Sequence, residues 1–321
     1  MGASAAVLGA SGYTGAEILR LLARHPAITV VAAAAGTRAG LPLAEVHPHL
    51  RGAVDVELTS IDRAAAAADV CFSCLPHGTL PAHLGAVAAD VVVDLADDFR
   101  ASEAWTYGLT ELARAGVAGT RRIANPGCYP TAALLCLVPF ARAGAIGGSL
   151  VVDALSGLSG AGRAAEDRLL FANVAGGASA YGSVSHRHVA EIERGLRVFG
   201  GLETTVSFTP HLVPMPRGLL VTARARLTHP LTDAAALGVL EEAYEDEPFV
   251  RVVREWPSTK AVAGSNHASL SARVDERAGY LVCSAAIDNL GKGAAGQAVQ
   301  NANVALGLAE TTGLEGVAVW P

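Results

Sequence analysis

The 321-residue chain is 51% hydrophobic and 17% charged with a net charge of −6, which supplies cores for two ordinary domains and excludes wholesale disorder. Its Lys and Arg are scattered, which argues against a nucleic-acid or membrane-surface partner, and no run approaches the roughly 20 apolar residues of a membrane span. The N-terminal MGASAAVLGASGYTG has no basic segment ahead of its apolar run, so it reads as mature domain and the chain as cytoplasmic.

Residues 5–9, AVLGA, predict a strand, GASGYTG a glycine-rich turn and AEILRLLARHP a helix with Ile18, Leu19, Leu21 and Leu22 as its apolar stripe. ITVVAAAAG follows as a second strand, so the N-terminus reads as a βαβ unit. Gly9, Gly12 and Gly15 give G-x-x-G-x-x-G, a weak motif alone that gains from its place between strand and helix. A helix start offers N–H groups and the positive dipole end to a pyrophosphate. Gly9, Ser11, Gly12, Tyr13, Thr14 and Gly15 are therefore the candidate cofactor-binding turn.

A site for NAD usually ends its second strand on an acid that holds the ribose 2′-hydroxyl. Here AAAAGTRAG has no acid, and Thr37 and Arg38 stand in its place. A guanidinium there suits a 2′-phosphate, so the expected cofactor is NADP(H).

DVCFSCLPHG and DVVVDLADDFR predict two further strands with polar C-terminal ends, where open α/β sheets take ligands. His77, Gly78, Asp94 and Arg100 either border the site or cap loops. Cys71 and Cys74 form a C-x-x-C, but residues three apart in a strand point to opposite faces, and no second pair with zinc spacing accompanies them. They read as buried strand cysteines, and no metal site is expected. Cys128, Cys136 and Cys283 complete an odd, sparse set that is no disulfide framework.

ANPGCYPTAALLCLVPFARAG places Cys128 between a Pro-Gly turn and a helix that Pro130 suits in its first turn and Gly144 closes. The positive end of a helix favours the reactive thiolate. Cys136 lies inside the same helix without that field and reads as packing. Cys128 is thus the candidate nucleophile, and a thiolate beside a nicotinamide points to acyl-phosphate reduction through a thioester. Such chemistry needs an acid/base.

SLVVDALSGLSGAGR predicts a strand and then a Ser/Gly loop whose N–H groups, with Ser156, Ser159 and Arg163, suit an anion. YGSVSHRHVAEIERGL brings His186 and His188 around Arg187, ahead of a helix over about 189–196. If the segment is extended, both imidazoles share a face, and either is the candidate acid/base. TPHLVPMPRGLLVTARARL reads as a strand pair bordered by His211 and Arg217, and YLVCSAAIDNL as a late strand that buries Cys283.

IANPGCYPTAALLCLVP resembles the active-site signature of the N-acetyl-γ-glutamyl-phosphate reductases. GASGYTGAEILRLL, LPHG, VVDLADDFR, SGLSGAGR, HRH-AEI, PHLVPMPRG and NLGKGAAGQAVQNAN resemble further family segments, in family order, over nearly the whole chain. Ala190 departs from the Pro more common there.

The resemblance implies Cys128 as nucleophile, His186 or His188 as acid/base, and NADP(H) as cofactor. It adds Ser159, Gly160 and Asn289 toward the cofactor, and His77, Arg100, Ser156, Arg163 and Arg217 toward the substrate. The implied α/β fold is a Rossmann-type domain over 1–127, completed by a C-terminal helix at about 293–321. A 128–292 α+β catalytic domain like that of glyceraldehyde-3-phosphate dehydrogenase is implied beside it, in a homo-dimer or homo-tetramer. The implied reaction is reduction of the small molecule N-acetyl-γ-glutamyl phosphate to its semialdehyde, in arginine biosynthesis. The rival readings are a sister reductase on carrier-protein-bound glutamyl or aminoadipyl phosphate, an aspartate-semialdehyde dehydrogenase, and a non-catalytic NADP sensor. A sister enzyme would need a basic surface for an acidic carrier, and the net charge of −6 leans against it.

Overall fold

The computed structural model describes residues 2–66 and 68–320. The chain divides into two compact units, one running up to Gly127 with Ala294–Gly316, the other Cys128–Gly293 with the tail from Val317.

In the first unit, β1 (Ala3–Leu8), β2 (Ile28–Ala34), β3 (Leu58–Thr59), β4 (Val70–Ser73), β5 (Val91–Asp94), β6 (Thr106–Tyr107) and β7 (Arg122–Ala124) form one sheet. Its order is β3-β2-β1-β4-β5-β7-β6, and every pairing is parallel. All four positions of β4 and of β5 are buried, as a parallel sheet covered on both faces requires. The strand order reverses between β1 and β4, the switch point at which such sheets take their ligands.

The Gly296–Ala305 helix is buried from Gly296 to Asn303 although four of those residues carry amides. Burial of an amide costs free energy unless it is hydrogen-bonded, and partners are present. Gln297 donates to Thr110 Oγ1 at 2.9 Å, and Gln300 to Glu111 at 3.0 Å. Asn301 donates to the Gly108 carbonyl at 2.7 Å and to Asn125 Oδ1 at 3.0 Å. Asn303 Oδ1 lies 3.0 Å from His25 Nε2. Because His25 Nδ1 accepts from the Ala27 and Ile28 N–H groups, Nε2 carries the proton and donates. Burial holds the His25 pKa below 6.5, which keeps this ring neutral.

In the second unit, β8 (Ile146–Ser156), β9 (Ser179–Ala180), β10 (Val206–Leu212), β11 (Leu219–Leu227), β12 (Val250–Val252), β13 (Ala268–Asp275) and β14 (Tyr280–Ile287) form a mixed sheet in the order β12-β13-β14-β11-β8-β10-β9. The 206–212 and 219–227 segments are strands but not each other's partners. The long β8 lies between them, parallel to β10 and antiparallel to β11. Along β8, Leu150, Val152 and Ala154 are buried while Val151 and Leu155 are exposed, the period-2 pattern of a sheet covered on one face. The Cys128–Arg142, His188–Gly200 and Asp233–Ala243 helices pack on it.

The helix after the two histidines runs to Gly200 rather than ending near 196. Gly195, within that helix, is a close-approach site. A Cβ there would come 2.5 Å from Leu134 Cδ1, and one at Gly200 2.8 Å from Ala141 Cβ. The true stop is Gly201, in the left-handed region at φ 65°.

Candidate active site

Cys128 is the first residue of the Cys128–Arg142 helix, and Pro130 falls in its first turn, where a missing N–H is no loss. From Tyr129 to Ala141 every residue is buried, so the helix is a core element that carries Cys128 at its N-terminal end. Gly293 sits against the thiol-bearing residue: a Cβ there would lie 2.8 Å from Cys128 Cβ. The other cysteines sit differently. Burial pushes the Cys71 thiol up to about 12 and raises those of Cys74 and Cys136.

A cavity of about 430 Å³ opens beside Cys128, lined by Tyr129, Ser156, Gly160, Arg168, Tyr181, His186, Arg187 and His188 among others. The two imidazoles meet edge to face with ring centroids 4.7 Å apart. They do so through a turn and not an extended segment. Arg187 is α-helical at φ −55°, ψ −27°, and His188 starts the helix. His186 Nδ1 accepts the His188 N–H at 3.1 Å, so the neutral ring carries its proton on Nε2. Burial, and next the Arg187 charge, hold the His186 pKa below 6.5. The Tyr129 ring stands edge-on to both histidines at 5.7 and 5.8 Å, and its hydroxyl lies 2.8 Å from the Tyr181 hydroxyl.

The structure gathers Cys128, Ser156, Gly160, His186 and His188 at this cavity. Tyr129, Tyr181, Arg168 and Arg187 join them, four residues to which the sequence had assigned no site role. Tyr129 sits inside the quoted cysteine motif, and Arg187 between the two histidines, so both had a signal. Arg163 is exposed and is not among the lining residues. Ser159 accepts from Asn289 Nδ2 at 2.9 Å, and Asn289 Oδ1 accepts the Gly218 N–H at 2.8 Å. Arg217 is half-buried, 3.5 Å from the fully buried Asp288 carboxylate.

In the first unit, Gly9 takes φ 77°, and a Cβ on Gly15 would lie 2.5 Å from the Gly9 oxygen, so the turn closes tightly on itself. Gly12 caps the Tyr13–Leu22 helix without a side-chain hydrogen bond, and the first turn has no acid. That N-terminus fits an anionic pyrophosphate. Ser11, Gly12 and Thr14 are half-buried and Tyr13 is exposed. Thr37 and Arg38 occupy the 3₁₀ turn Gly36–Arg38 directly after β2, Thr37 exposed and Arg38 half-buried, at the place an acid would take in an NAD site.

His77 is exposed on the loop after β4, paired with Asp97 and, at 2.6 Å, with Asp98, which also accepts the Gly78 N–H at 2.7 Å. Arg100 is buried, and its guanidinium donates to the Asn125 carbonyl at 2.9 Å and the Leu95 carbonyl at 3.0 Å. Asp94 ends β5 fully buried, and burial pushes its carboxyl up to about 6.

Comparison with known proteins agrees with this division. Residues 4–120 match the family model described as semialdehyde dehydrogenase, NAD binding domain, and residues 128–289 the one described as semialdehyde dehydrogenase, dimerisation domain. The N-acetyl-gamma-glutamyl-phosphate reductase of Acidothermus cellulolyticus is 46% identical across 100% of both chains, and that of Mycobacterium avium 48% identical across 98% of both. Aspartate semialdehyde dehydrogenase II of Vibrio cholerae, solved with its semialdehyde, superposes with a TM-score of 0.76 at 18% identity, covering 95% of this chain and 98% of that one. The Candida albicans aspartate semialdehyde dehydrogenase solved with NADP gives 0.71 at 18%, over 95% and 98%. At that identity the solved structures carry the fold, and the full-length relatives carry the family: the chain belongs to the N-acetyl-γ-glutamyl-phosphate reductases.

Proposed function

We propose that the protein is an NADPH-dependent reductase that converts N-acetyl-γ-glutamyl phosphate to N-acetylglutamate 5-semialdehyde in arginine biosynthesis. The observation that carries this reading is Cys128 at a helix start beside two imidazoles in one cavity, in a chain whose relatives carry that reductase name. The helix field favours the Cys128 thiolate. It attacks the acyl carbon. The new C–S bond forms as the C–O bond to phosphate breaks, leaving an enzyme thioester and inorganic phosphate. When bound, NADPH supplies the hydride that reduces the acyl carbon. The resulting oxyanion re-forms a carbonyl as the C–S bond breaks, which releases aldehyde and restores the thiolate.

The His186–His188 pair takes the thiol proton and supplies the one the reaction consumes. Arg168, Arg187 and Ser156 face the anionic substrate from the cavity wall. His77, Arg100, Arg163 and Arg217 are proposed to act on the substrate side, the first two directly or by bracing loops. The glycine turn from Gly9 to Gly15, with Thr37 and Arg38, is proposed to hold the dinucleotide, and cofactor-binding roles are likewise proposed for Ser159, Gly160 and Asn289. The protein is further proposed to be cytoplasmic and a homo-dimer or homo-tetramer; among the described residues no helix is long and apolar enough to cross a membrane.

The reverse reaction tests the substrate and the thiol together. N-acetylglutamate semialdehyde, phosphate and NADP⁺ are expected to yield NADPH, and Cys128→Ser to lower kcat by about 10³-fold or more. Turnover with aspartate semialdehyde but not with the acetylated aldehyde overturns the substrate assignment. A Cys128→Ser variant that keeps its rate overturns the thioester.

A further inference from the structure

His47 is 5% exposed and follows the short Leu43–Val46 helix, and its Nε2 lies 2.8 Å from the Ala10 carbonyl oxygen. A carbonyl only accepts, so Nε2 holds the proton and His47 donates. Ala10 is itself part of the glycine-rich turn, between Gly9 and Ser11. Its N–H donates to the Ala34 carbonyl, the last of β2, at 2.7 Å. Both backbone groups of Ala10 are therefore held, one by strand and one by imidazole.

The geometry of the peptide unit makes the second hold directional. The Ala10 carbonyl and the Ser11 N–H belong to one planar trans peptide and point opposite ways. Fixing the carbonyl toward His47 aims the Ser11 N–H to the far side of the turn. The imidazole rides on the excursion between β2 and β3 that begins at Thr37 and Arg38. That excursion is tied down by hydrogen bonds from the Gly40 N–H to the Leu58 carbonyl at 2.7 Å and from the Leu58 N–H to the Leu41 carbonyl at 2.9 Å.

We propose that His47 is a positioning residue for dinucleotide binding: its hydrogen bond sets the orientation of the Ala10–Ser11 peptide and couples the glycine-rich turn to the loop that carries Arg38. This rests on the reading of that turn as the cofactor site. His47 acts on backbone that faces the pyrophosphate common to both dinucleotides, so its loss weakens NADPH and NADH alike. Arg38 faces only the 2′-phosphate.

Fluorescence titration of NADPH and NADH against the full chain tests this. His47→Leu, which keeps volume but lacks a donor, is expected to weaken both cofactors by the same factor of about ten, the scale of one buried hydrogen bond. His47→Gln can set an amide nitrogen near the Nε2 position and should recover most of the affinity. His47→Asn, whose amide falls one bond short, should behave like His47→Leu and serves if that variant does not fold. Arg38→Ala should weaken NADPH alone. Wild-type affinity in His47→Asn or His47→Leu, no recovery in His47→Gln, or an effect confined to NADPH overturns the role of His47. The underlying reading is tested by Gly12→Asp, where φ −80° and a nearest neighbour 3.5 Å from the built Cβ leave room for a side chain. If Gly12→Asp binds NADPH normally, the turn is not the cofactor site. If it loses NADPH while His47→Leu keeps it, only the role of His47 falls.

Discussion

Cys128 and Cys136 sit eight residues apart on one helix, yet the first borders a cavity and the second is fully buried. The difference was legible because a Pro-Gly turn followed by an early proline is a local helix-start signal. The histidines were legible as a dense polar cluster, but their geometry was not. They meet through a helical turn, and only the His186 Nδ1 bond to the His188 N–H fixes the tautomer. Tyr181 and Arg168 had no signal in sequence, because the 163–187 stretch has no apolar period; Arg168 is exposed on the short Asp167–Leu169 turn and Tyr181 follows the two-residue β9. The histidine chemistry carries a pH consequence. With burial and then Arg187 holding its pKa below 6.5, His186 stays neutral until the pH falls past that lowered value. If it is the base, the acid limb of kcat/KM lies below 6.5 in the wild type. Arg187→Gln removes a like charge, raises the His186 pKa and moves that limb to higher pH. A limb that stays put in Arg187→Gln assigns the proton transfer to another group.

At the scale of elements, the Cys128–Arg142 helix contains Pro139, which has no N–H to offer the Leu135 carbonyl four residues earlier. That carbonyl is in the core, where an unmet acceptor is costly. Tyr244, just past the Asp233–Ala243 helix, donates its hydroxyl to the Leu135 oxygen at 2.7 Å. A proline inside a buried helix is thus tolerated because another element supplies the missing donor. Tyr244→Phe is expected to destabilise the protein by about 1–3 kcal/mol, read as a lower urea midpoint. Pro139→Ala restores the helical N–H, so the same substitution in that background should cost measurably less. Equal losses in the two backgrounds would show that the hydroxyl does not serve the gap left by the proline. The Pro-Gly turn, Pro130 and the closing Gly144 around an apolar run located this helix, whereas the Tyr244 bond, 109 residues away in sequence, has no local signature. The misread end at 196 has a similar cause. Gly195 has a poor helix propensity, yet the helix continues through it because the close approach of Leu134 uses its missing side chain.

On the scale of the whole molecule, the βαβ start and the late strands were legible from runs and turns. Strand order was not, because the placement of β8 between β10 and β11 depends on pairings far apart in sequence. The outer face of β8 shows Val151 and Leu155 at 39% and 37% exposure among polar neighbours such as Arg224 and Asp153. A sheet face of this kind can stay solvated or meet another copy. With the dimerisation-domain match, the expected outcome is a light-scattering mass of two or four times 32.6 kDa. A single species at 32.6 kDa would refute the proposed oligomer.

The amide-bearing Gly296–Ala305 helix, whose side chains reach Gly108, Thr110, Glu111 and His25, has a consequence for how the protein is born. The ribosome delivers the first unit's seven strands before residue 128 but its closing helix only after Cys128–Gly293 of the second unit. At about 5–20 residues per second, the opening sheet waits on the order of 10–30 s with the Gly108 carbonyl and the Thr110 hydroxyl without their helix partners. Through that interval the nascent chain carries an unfinished surface on which these polar groups accompany the valines of β5, which the same helix covers. Water can serve the polar groups until the helix arrives, so it is the apolar part of that surface, on β5, that sets the aggregation hazard of the delay.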